Sequence, residues 1–346
     1  MNFYPSAVAS RNFQERFLIA MTPKVSVIIA CYNDKNHISE TIQSVLDQTY
    51  ENMEIIVVDD GSTDRSPDLV RENFPGVKLI TKENGGPASA RNCGAQLAKG
   101  DFLQFQDSDD LIEKDKIRLQ IEKAMEFPGQ IIYGPIRVFR SVKGINTFDP
   151  PMELLDEKED VVDRWLRGWF TIPTALLWPR AAYEKVGGFD ENLSPEEDTD
   201  IALRAVLMGY RLIACPHAFS YYRSSENPEN GATYARNSQT QMNPRKFKSR
   251  VNALEKFEKI LHQMNLMPKY REAIAIRYFT LARTHVLYQP ELSMYCYRKF
   301  KSMSATGRPP GSLMNWIGIE ILGLPTKERL ADVVGNYGTK LRKVFR

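Results

Sequence analysis

The sequence lacks the long apolar segments that a membrane protein needs. No run approaches the roughly 18 consecutive apolar residues of a membrane-spanning helix, and the apolar stretches at residues 17–21 and 316–322 are short and interrupted. The first of them is also shorter than the apolar region of a secretory signal, and no small-residue cleavage site follows it. We therefore expect a protein that is neither embedded in a membrane nor exported.

Cysteine is scarce, and its spacing excludes two common uses. The chain has four cysteines, with no C-x-x-C pair and no histidine at a metal-binding spacing. Neither a zinc site nor a disulfide framework is indicated, and a reducing, cytoplasmic location fits best. The four histidines are dispersed, so we assign none of them to a site.

Acidic residues are scarce in the last third of the chain and abundant before it. The net charge is +3, but residues 241–346 carry 20 Lys and Arg against 7 Asp and Glu, which leaves 26 against 36 in residues 1–240. An acidic half suits a metal, and a basic half suits phosphate or anionic lipid. No nucleic-acid recognition motif is present in the basic part, so we expect no nucleic acid partner.

A glycine-rich dinucleotide motif is also missing. No G-x-G-x-x-G follows the first predicted strand, which excludes a nicotinamide dehydrogenase. A nucleotidyltransferase is disfavoured because its basic, glycine-rich N-terminal loop is absent. What is present is the composition of an ordinary globular protein, with 346 residues, 42% of them hydrophobic and 26% charged.

Short apolar runs alternate with amphipathic segments from residue 24 onward. The spacing predicts strands at residues 25–30, 54–58, 77–80 and 101–105, and helices at 38–46, 87–98 and 114–126. This order predicts an α/β protein with a mostly parallel central sheet flanked by helices. Beyond residue 130 the runs become shorter, and we expect antiparallel additions to the sheet.

Four regions follow from these patterns. We assign residues 1–23 to an N-terminal extension, 24–225 to the α/β domain, 226–245 to a linker and 246–346 to a basic, mainly helical C-terminal region. Helices are expected there near residues 251–264 and 270–287. Met21 stands just before the α/β domain, so the chain offers two candidate starts, Met1 and Met21.

Carboxylates collect after the fourth predicted strand, where ligands of parallel sheets usually bind. Asp107, Asp109 and Asp110 lie within four residues, and such a cluster is repulsive unless a cation or hydrogen bonds offset it. Mg²⁺ or Mn²⁺ beside a diphosphate would do so. The simpler interpretation is a turn and a helix cap.

Other polar groups are expected at the same edge of the sheet. Asp60 could accept a hydrogen bond from a nucleoside and Tyr32 could stack on its base, although an Asp-Gly turn is the simpler interpretation. Arg91, about one turn inside a helix, could face an anion or only solvent. At the start of a later helix, Glu197 and Asp198 could supply a general base or merely cap the helix.

Together these segments resemble glycosyltransferase family 2, whose members have the GT-A type nucleotide-diphospho-sugar transferase fold. The resemblance covers about residues 24–225 and consists of six motifs in the family's order. They are residues 25–33 (VSVIIACYN), 55–63 (IIVVDDGST), 86–94 (GPASARNCG), 100–110 (GDFLQFQDSDD), 186–190 (VGGFD) and 197–198 (ED).

The resemblance implies an inverting glycosyltransferase, of the hexosyltransferase-like class EC 2.4. It would move a sugar from a nucleotide diphosphate sugar, most often UDP-linked, to a hydroxyl of a glycan or lipid-linked sugar acceptor, in polysaccharide or glycoconjugate synthesis. Mg²⁺ or Mn²⁺ would be its cofactor. The alternative is a catalytically inactive sugar-nucleotide-binding or scaffold protein on the same fold, which has no use for Asp107, Asp109, Glu197 and Asp198 together.

The donor-side residues follow from matching the motifs one by one. Tyr32 and Asp60 match positions that hold the nucleoside, and Ala30 stands where some relatives have a hydroxyl side chain. Arg91 matches an arginine near the base and the phosphates.

The metal-side and base-side residues follow in the same way. Asp107, Ser108 and Asp109 match the DxD element, whose carboxylates hold the ribose and the metal ion, and Asp110 could share that task. Asp198 matches the catalytic base, with Glu197 as its supporting group. Thr199 and Asp200 follow where many relatives have an aromatic residue, which leaves the acceptor open.

Two further segments have an expected place but no assigned chemistry. Residues 169–175 lie where relatives line the acceptor side, and we expect them to shape that pocket. We favour a helical cap on the acidic domain, with solvated cations, for the basic C-terminal region. Peripheral contact with the inner face of an anionic membrane is the other interpretation.

Overall fold

The computed structural model of the protein describes residues 22–142, 145–156, 158–224, 243–308 and 323–325. Most of the predicted N-terminal extension, most of the predicted linker and the basic end of the chain lie outside these residues, as does Met21. Within the described residues, the elements predicted for the first 130 residues form in the predicted order.

Strands and helices alternate regularly in the first half of the chain, and three long helices end the described part. The strands are β1 (Val25–Cys31), β2 (Met53–Asp59), β3 (Lys78–Thr81), β4 (Phe102–Asp107), β5 (Leu111–Ile112), β6 (Ile131–Tyr133), β7 (Ile136–Val142), β8 (Ile145–Phe148), β9 (Leu176–Pro179), β10 (Leu212–Ala214) and β11 (Ser220–Arg223). The helices are α1 (Ile38–Leu46), α2 (Ser66–Asn73), α3 (Pro87–Leu97), α4 (Lys116–Glu126), α5 (Val161–Leu166), α6 (Arg180–Val186), α7 (Glu197–Leu207), α8 (Pro244–Gln263), α9 (Met267–His285) and α10 (Pro290–Met303).

Seven strands form the central sheet, in the order β10-β6-β9-β4-β1-β2-β3. All neighbours pair in parallel except β9, which runs antiparallel to both β4 and β6. Strand β1 lies inside the sheet with an almost wholly buried apolar sequence, as expected for a strand covered on both faces. The predicted mostly parallel sheet with helices on its faces is confirmed, and so is the antiparallel addition.

Close packing of α3 on β1 brings one predicted site residue to the edge of the sheet. A Cβ added at Gly94 would lie 2.3 Å from Cγ2 of Ile28, so only glycine permits this approach. Gly86, at the start of α3, has φ +89°, which a residue with a side chain rarely adopts. Arg91 is therefore held near the strand ends by its backbone.

A smaller sheet, in the order β5-β11-β7-β8, follows the acidic turn after β4. Strand β11 pairs antiparallel with β5 and parallel with β7. This pairing places the backbone of Arg223 against the acidic turn, where its N–H donates to the Asp110 carboxylate at 3.1 Å.

Helices α8, α9 and α10 pack on the α/β domain and share a hydrophobic core with it. This core joins Phe247, Tyr278 and Phe300 of the C-terminal helices to Trp165 of α5 and Leu203 of α7. The predicted helical C-terminal region is thus present, with α10 as a further helix beyond the two expected. None of the helices in the described residues is long and apolar enough to cross a membrane.

Candidate functional site

A cleft opens where the carboxyl ends of the central strands face the C-terminal helices. It contains a cavity of about 480 Å³. Arg91 and Asp107 line one wall, and residues 168–173 and 195–199 line the next. Helices α8 and α9 complete it with Arg250, Arg277, Thr280, Leu281, Thr284 and His285.

Arg91 connects the two predicted halves of the site. Its side chain is buried and donates from Nη2 to Oδ1 of Asp107 at 2.6 Å and from Nη1 to Oε1 of Glu197 at 3.0 Å. The guanidinium also lies over the Phe189 ring, 5.3 Å from its centroid. Burial alone would lower the pKa of Arg91, but Asp107 and Glu197 outweigh it and raise the pKa above its usual value. Arg91 stays charged between the two carboxylates.

The three aspartates after β4 have different surroundings. Asp107 is partly exposed at the cavity, and Asp109 is partly exposed two residues later. Ser108 lies between them and donates from Oγ to Oδ2 of Asp34 at 2.7 Å, so its hydroxyl supports the turn.

Asp110 is fully buried and has a structural role. Its carboxylate accepts hydrogen bonds from Oγ1 of Thr174 at 3.0 Å and from the backbone N–H of Arg223. Burial raises its pKa well above the usual value, and the charges of Asp109 and Asp107 add to the shift. The idea that Asp110 shares metal binding has no support in this geometry, because its carboxylate faces the second sheet.

Asp60, predicted to hold the nucleoside, organises the loop before α3. Its buried carboxylate accepts from Nζ of Lys82 at 2.7 Å and from the backbone N–H groups of Gly85 at 3.0 Å and Gly86 at 2.7 Å. A carboxylate offers about four acceptor positions, so these donors use most of its capacity. The Asp60 carboxylate thus first holds the loop that leads into α3.

Tyr32 and Ala30 lie near Asp60 at the same strand ends. The Asp60 N–H donates to the carbonyl of Cys31 at 2.8 Å, which places Asp60 beside Tyr32 in space. The Tyr32 side chain is 52% exposed and is therefore accessible to a base. Ala30 is half-buried and pairs in register with Asp107 of β4.

Glu197 and Asp198 are the first two residues of α7. Glu197 is buried, and within the described residues its Oε2 has no hydrogen-bond partner. Burial raises the pKa of Asp198 to about 7, with further contributions from Glu197 and Glu196 and an opposing one from Arg91. The N–H of Thr199 donates to the Asp198 carboxylate at 2.7 Å. A carboxylate that titrates near neutral pH is suited to take up a proton.

Sequence patterns gave no sign of the residues that α8 and α9 contribute. Nε of Arg250 lies 3.2 Å from Oε1 of Glu196, and Nη2 of Arg277 lies 4.0 Å from Oε2. His285 is buried at the cavity wall, stacks on Phe247 with ring centroids 3.9 Å apart, and has a pKa that burial lowers to about 4. No short spacing links these residues to the motifs, so only folding brings them together.

The segment expected on the acceptor side does reach the cavity. The cavity that Asp198 lines is also lined by Trp169, Phe170, Thr171, Ile172 and Pro173. The indole N–H of Trp169 donates to the Glu153 carbonyl at 3.1 Å, and its ring packs edge-on against Trp165. An aromatic wall of this kind could hold the face of a sugar.

The strand-end carboxylates fit a divalent cation only in part. In the part of the chain that the structure describes, no three His, Cys, Asp or Glu side chains form a group that could hold a metal. Asp107 and Asp109 offer two carboxylates, and Mg²⁺ usually takes one or two together with substrate phosphates. The residues therefore fit a cation whose coordination a diphosphate would complete.

Comparison with known proteins finds a family match for part of the chain. The model of the family Glycosyl transferase family 2 matches residues 26–187. An uncharacterized glycosyltransferase of Rickettsia prowazekii is 34% identical over 183 residues, which are 52% of this chain and 58% of that protein. Glycosyltransferase GlyA of Streptococcus pneumoniae is 36% identical over 128 residues, 36% of this chain and 18% of that protein. The chain thus spans little more than half of the first relative and much less of the second.

Solved structures share the fold at lower identity. Residues 1–349 of S. aureus TarS superpose with a TM-score of 0.60 and 20% identity, over 82% of each chain. The same protein in complex with UDP-GlcNAc gives a TM-score of 0.59 and 22% identity, again over 82% of each chain. The predicted GT-A type fold is confirmed.

Proposed function

Since residues 26–187 form a glycosyltransferase family 2 domain, we propose that this protein transfers a sugar from a nucleotide diphosphate sugar to an acceptor hydroxyl in one displacement that inverts the anomeric centre. The arrangement around Arg91 supports this proposal most directly. One buried guanidinium holds Asp107, of the predicted donor side, and Glu197, next to the predicted base, within 3.0 Å of its nitrogens. Such a bridge fixes the distance between donor and base.

Asp198 is the proposed general base. With a pKa of about 7, a substantial fraction of its carboxylate is free to accept a proton at neutral pH. The acceptor oxygen forms a bond to the anomeric carbon while the bond from that carbon to the diphosphate oxygen breaks. The proton goes to Asp198, and the electron pair leaves with the nucleoside diphosphate.

On the donor side, Tyr32 would stack on the base and Asp107 would hold the ribose. Asp107 and Asp109 would hold Mg²⁺ or Mn²⁺, which would offset the negative charge of the leaving diphosphate. A contact between Asp60 and the nucleoside would have to be made alongside its bonds to Lys82 and the loop N–H groups. Ala30 and Ser108 would contribute shape and turn support.

UDP is the nucleotide we propose first, because a structural neighbour binds UDP and UDP-GlcNAc. For the acceptor we propose a hydroxyl of a glycan or a lipid-linked sugar, placed against residues 169–173, and hence a role in polysaccharide or glycoconjugate synthesis. A cytoplasmic location and contact with an anionic membrane remain sequence predictions. Co-sedimentation of the full chain with anionic and neutral vesicles would test the contact, and equal recovery would oppose it.

Two measurements test the proposal, calorimetric titration and an assay of nucleotide release. Both use UDP-GlcNAc, other UDP-sugars and GDP-, dTDP- and CDP-sugars, each with and without Mn²⁺. Asp109→Asn should weaken metal-dependent binding, whereas Asp198→Asn should bind normally and lose turnover. Asp115→Asn is the matched control, since Asp115 is a partly exposed aspartate at the start of α4 that does not line the cavity. Binding without turnover in the unmodified protein would favour a sugar-nucleotide-binding or scaffold role. Absence of binding to every nucleotide sugar would contradict the proposal.

A further inference from the structure

The C-terminal helices α8 and α9 make hydrogen bonds and ion pairs with the loop that leads into α7. Oγ of Ser249 accepts from the backbone N–H of Ser194 at 3.0 Å and donates to the carbonyl of Pro195 at 3.0 Å. The next residue of α8, Arg250, pairs with Glu196 at 3.2 Å, and Arg277 of α9 approaches the other oxygen of the same carboxylate at 4.0 Å. Three consecutive loop residues, 194–196, are therefore contacted by the C-terminal helices.

Glu196 has a backbone conformation that needs such support. Its φ is +97°, in a region that residues with a side chain rarely occupy. It is the N-cap residue of α7, yet its side chain makes no capping hydrogen bond. The carboxylate turns to Arg250 and Arg277 instead, and the residue holds this conformation only because its surroundings determine it.

The charges around the loop indicate what the two arginines do. The cavity is faced by Arg91 from α3, Asp107 from β4, Glu196, Glu197 and Asp198 from the start of α7, Arg250 from α8, and Arg277 and His285 from α9. Four carboxylates outnumber three guanidiniums, and the buried His285 is neutral near pH 7. The guanidiniums have carboxylate partners in the protein, so an anionic ligand is not needed to explain them.

We propose that Arg250 and Arg277 are positioning residues of the catalytic site. By holding the Glu196 carboxylate they fix the first turn of α7, and thereby direct the Asp198 carboxylate into the cleft. This inference rests on the proposed function of Asp198. On this inference, the C-terminal helices do more than cover the α/β domain, because they also position a residue that turnover requires.

The test compares Arg250→Gln, Arg277→Gln, the double variant and the conservative Arg250→Lys in the full chain. Arg271→Gln is the control, since Arg271 is an exposed arginine of α9 that bonds the Ser302 carbonyl and does not line the cavity. UDP release from UDP-GlcNAc gives kcat and KM, and calorimetry gives the Kd for UDP. Because small misplacement of a reacting group can cost about 100-fold, we expect the double variant to lose ~10–100-fold in kcat. The Kd for UDP should change less than twofold, and Arg250→Lys should recover part of the loss.

The pH profile separates positioning from a general loss of structure. Without the two cations, the negative charge of Glu196 would raise the pKa of Asp198 further. The midpoint of the kcat profile should therefore move to higher pH in the double variant. Glu196→Gln should move it to lower pH, since one neighbouring negative charge is gone. An unchanged kcat and midpoint in the double variant would overturn the inference, and so would a loss of UDP affinity equal to the loss of kcat.

Hydrogen exchange gives a readout that does not depend on turnover. Amides of residues 196–200 should exchange faster in the double variant than in the unmodified protein or in Arg271→Gln. Unchanged exchange there would overturn the positioning role even if the protein has no transferase activity. If the unmodified protein releases no nucleotide from any nucleotide sugar of the panel but the exchange changes as expected, the proposed function fails and the contact of the helices with the loop stands.

Discussion

Two buried cations on opposite faces of the central sheet differ in their hydrogen-bond partners, which are carboxylates for one and side-chain amides for the other. Arg91 lies on α3, among the residues that cover one face, and donates to two carboxylates at the cleft. Lys116 lies on α4, which covers the other face, and is fully buried. Its Nζ donates to Oε1 of Gln104 and Oε1 of Gln120, each at 2.7 Å, and neither partner is charged.

The pKa values follow from these partners. Two carboxylates raise the pKa of Arg91 against the effect of burial, whereas burial lowers the pKa of Lys116 to about 7. A cation paired with carboxylates stays charged and can organise a site, while a cation paired with amides is close to losing its proton. The face with Arg91 therefore presents a lasting charge at the cleft, whereas the face with Lys116 holds a lysine that is close to losing its proton.

The largest expected effect comes from removing the charge at the cleft. Arg91→Met leaves Asp107 and Glu197 without their shared partner, and breaking a buried ion pair from one side costs about 3–5 kcal/mol of stability. We also expect UDP release to fall by about 10²–10³-fold, since a preorganised charged donor is lost. Urea unfolding and the nucleotide-release assay measure the two losses. A variant as stable and active as the unmodified protein would show that Arg91 does not link the two halves of the site.

The second prediction concerns Asp198, which follows the Glu197 carboxylate that Arg91 contacts. Because Asp198 must be deprotonated to act as a base and its pKa is about 7, kcat/KM should rise with pH up to about 7 and level off above it. Below that pH, activity should fall by about tenfold per pH unit. A profile measured from pH 5 to 9 that stays flat below pH 7 would contradict the role of Asp198.

Lys116 gives the third prediction, on stability. Between pH 7 and the unfolded pKa of about 10.4, the folded lysine is mostly neutral and the unfolded one is protonated. The unfolded state then binds one more proton, so this group makes the free energy of unfolding rise by about 1.4 kcal/mol per pH unit. Below pH 7 both states are protonated and the slope ends.

Lys116→Met should remove that slope, as urea unfolding from pH 6.5 to 9.5 would measure. Lys259→Met, an exposed lysine of α8, is the control and should keep the slope of the unmodified protein. Parallel curves for Lys116→Met and the unmodified protein would mean that the buried lysine keeps its proton, and the contrast with Arg91 would disappear.

The smallest effect is expected at an exposed cation on the same helix as Lys116. Arg118 pairs with Asp115 and Glu122 at the surface, with its side chain 39% exposed. Exposed pairs contribute little because water screens them and side-chain entropy opposes them. Arg118→Met should leave unfolding and nucleotide release unchanged within error, and it serves as the matched control for Arg91→Met. A marked loss would show that burial is not what distinguishes these cations.

Sequence periodicity predicted the strands near the site well. The predictions for β1 and β2 differ from the structure by one residue at each end or fewer. These strands are short apolar runs in the middle of the sheet, where local pattern and burial agree. Helices α2, α5 and α6 were not predicted, because they are short and their apolar spacing is irregular.

The sequence by itself determined the alternating α/β order, the family resemblance and the collection of polar residues at the strand ends, because each of these depends on a local pattern. The tertiary structure alone decided that Arg91 bridges Asp107 and Glu197, that Asp110 is buried in structural hydrogen bonds, and that Glu196 is held by Arg250 and Arg277. Arg91, for example, is 16 positions from Asp107 and 106 positions from Glu197 in the sequence. No local pattern can specify such pairings, since burial and charge partners exist only once distant segments have packed together.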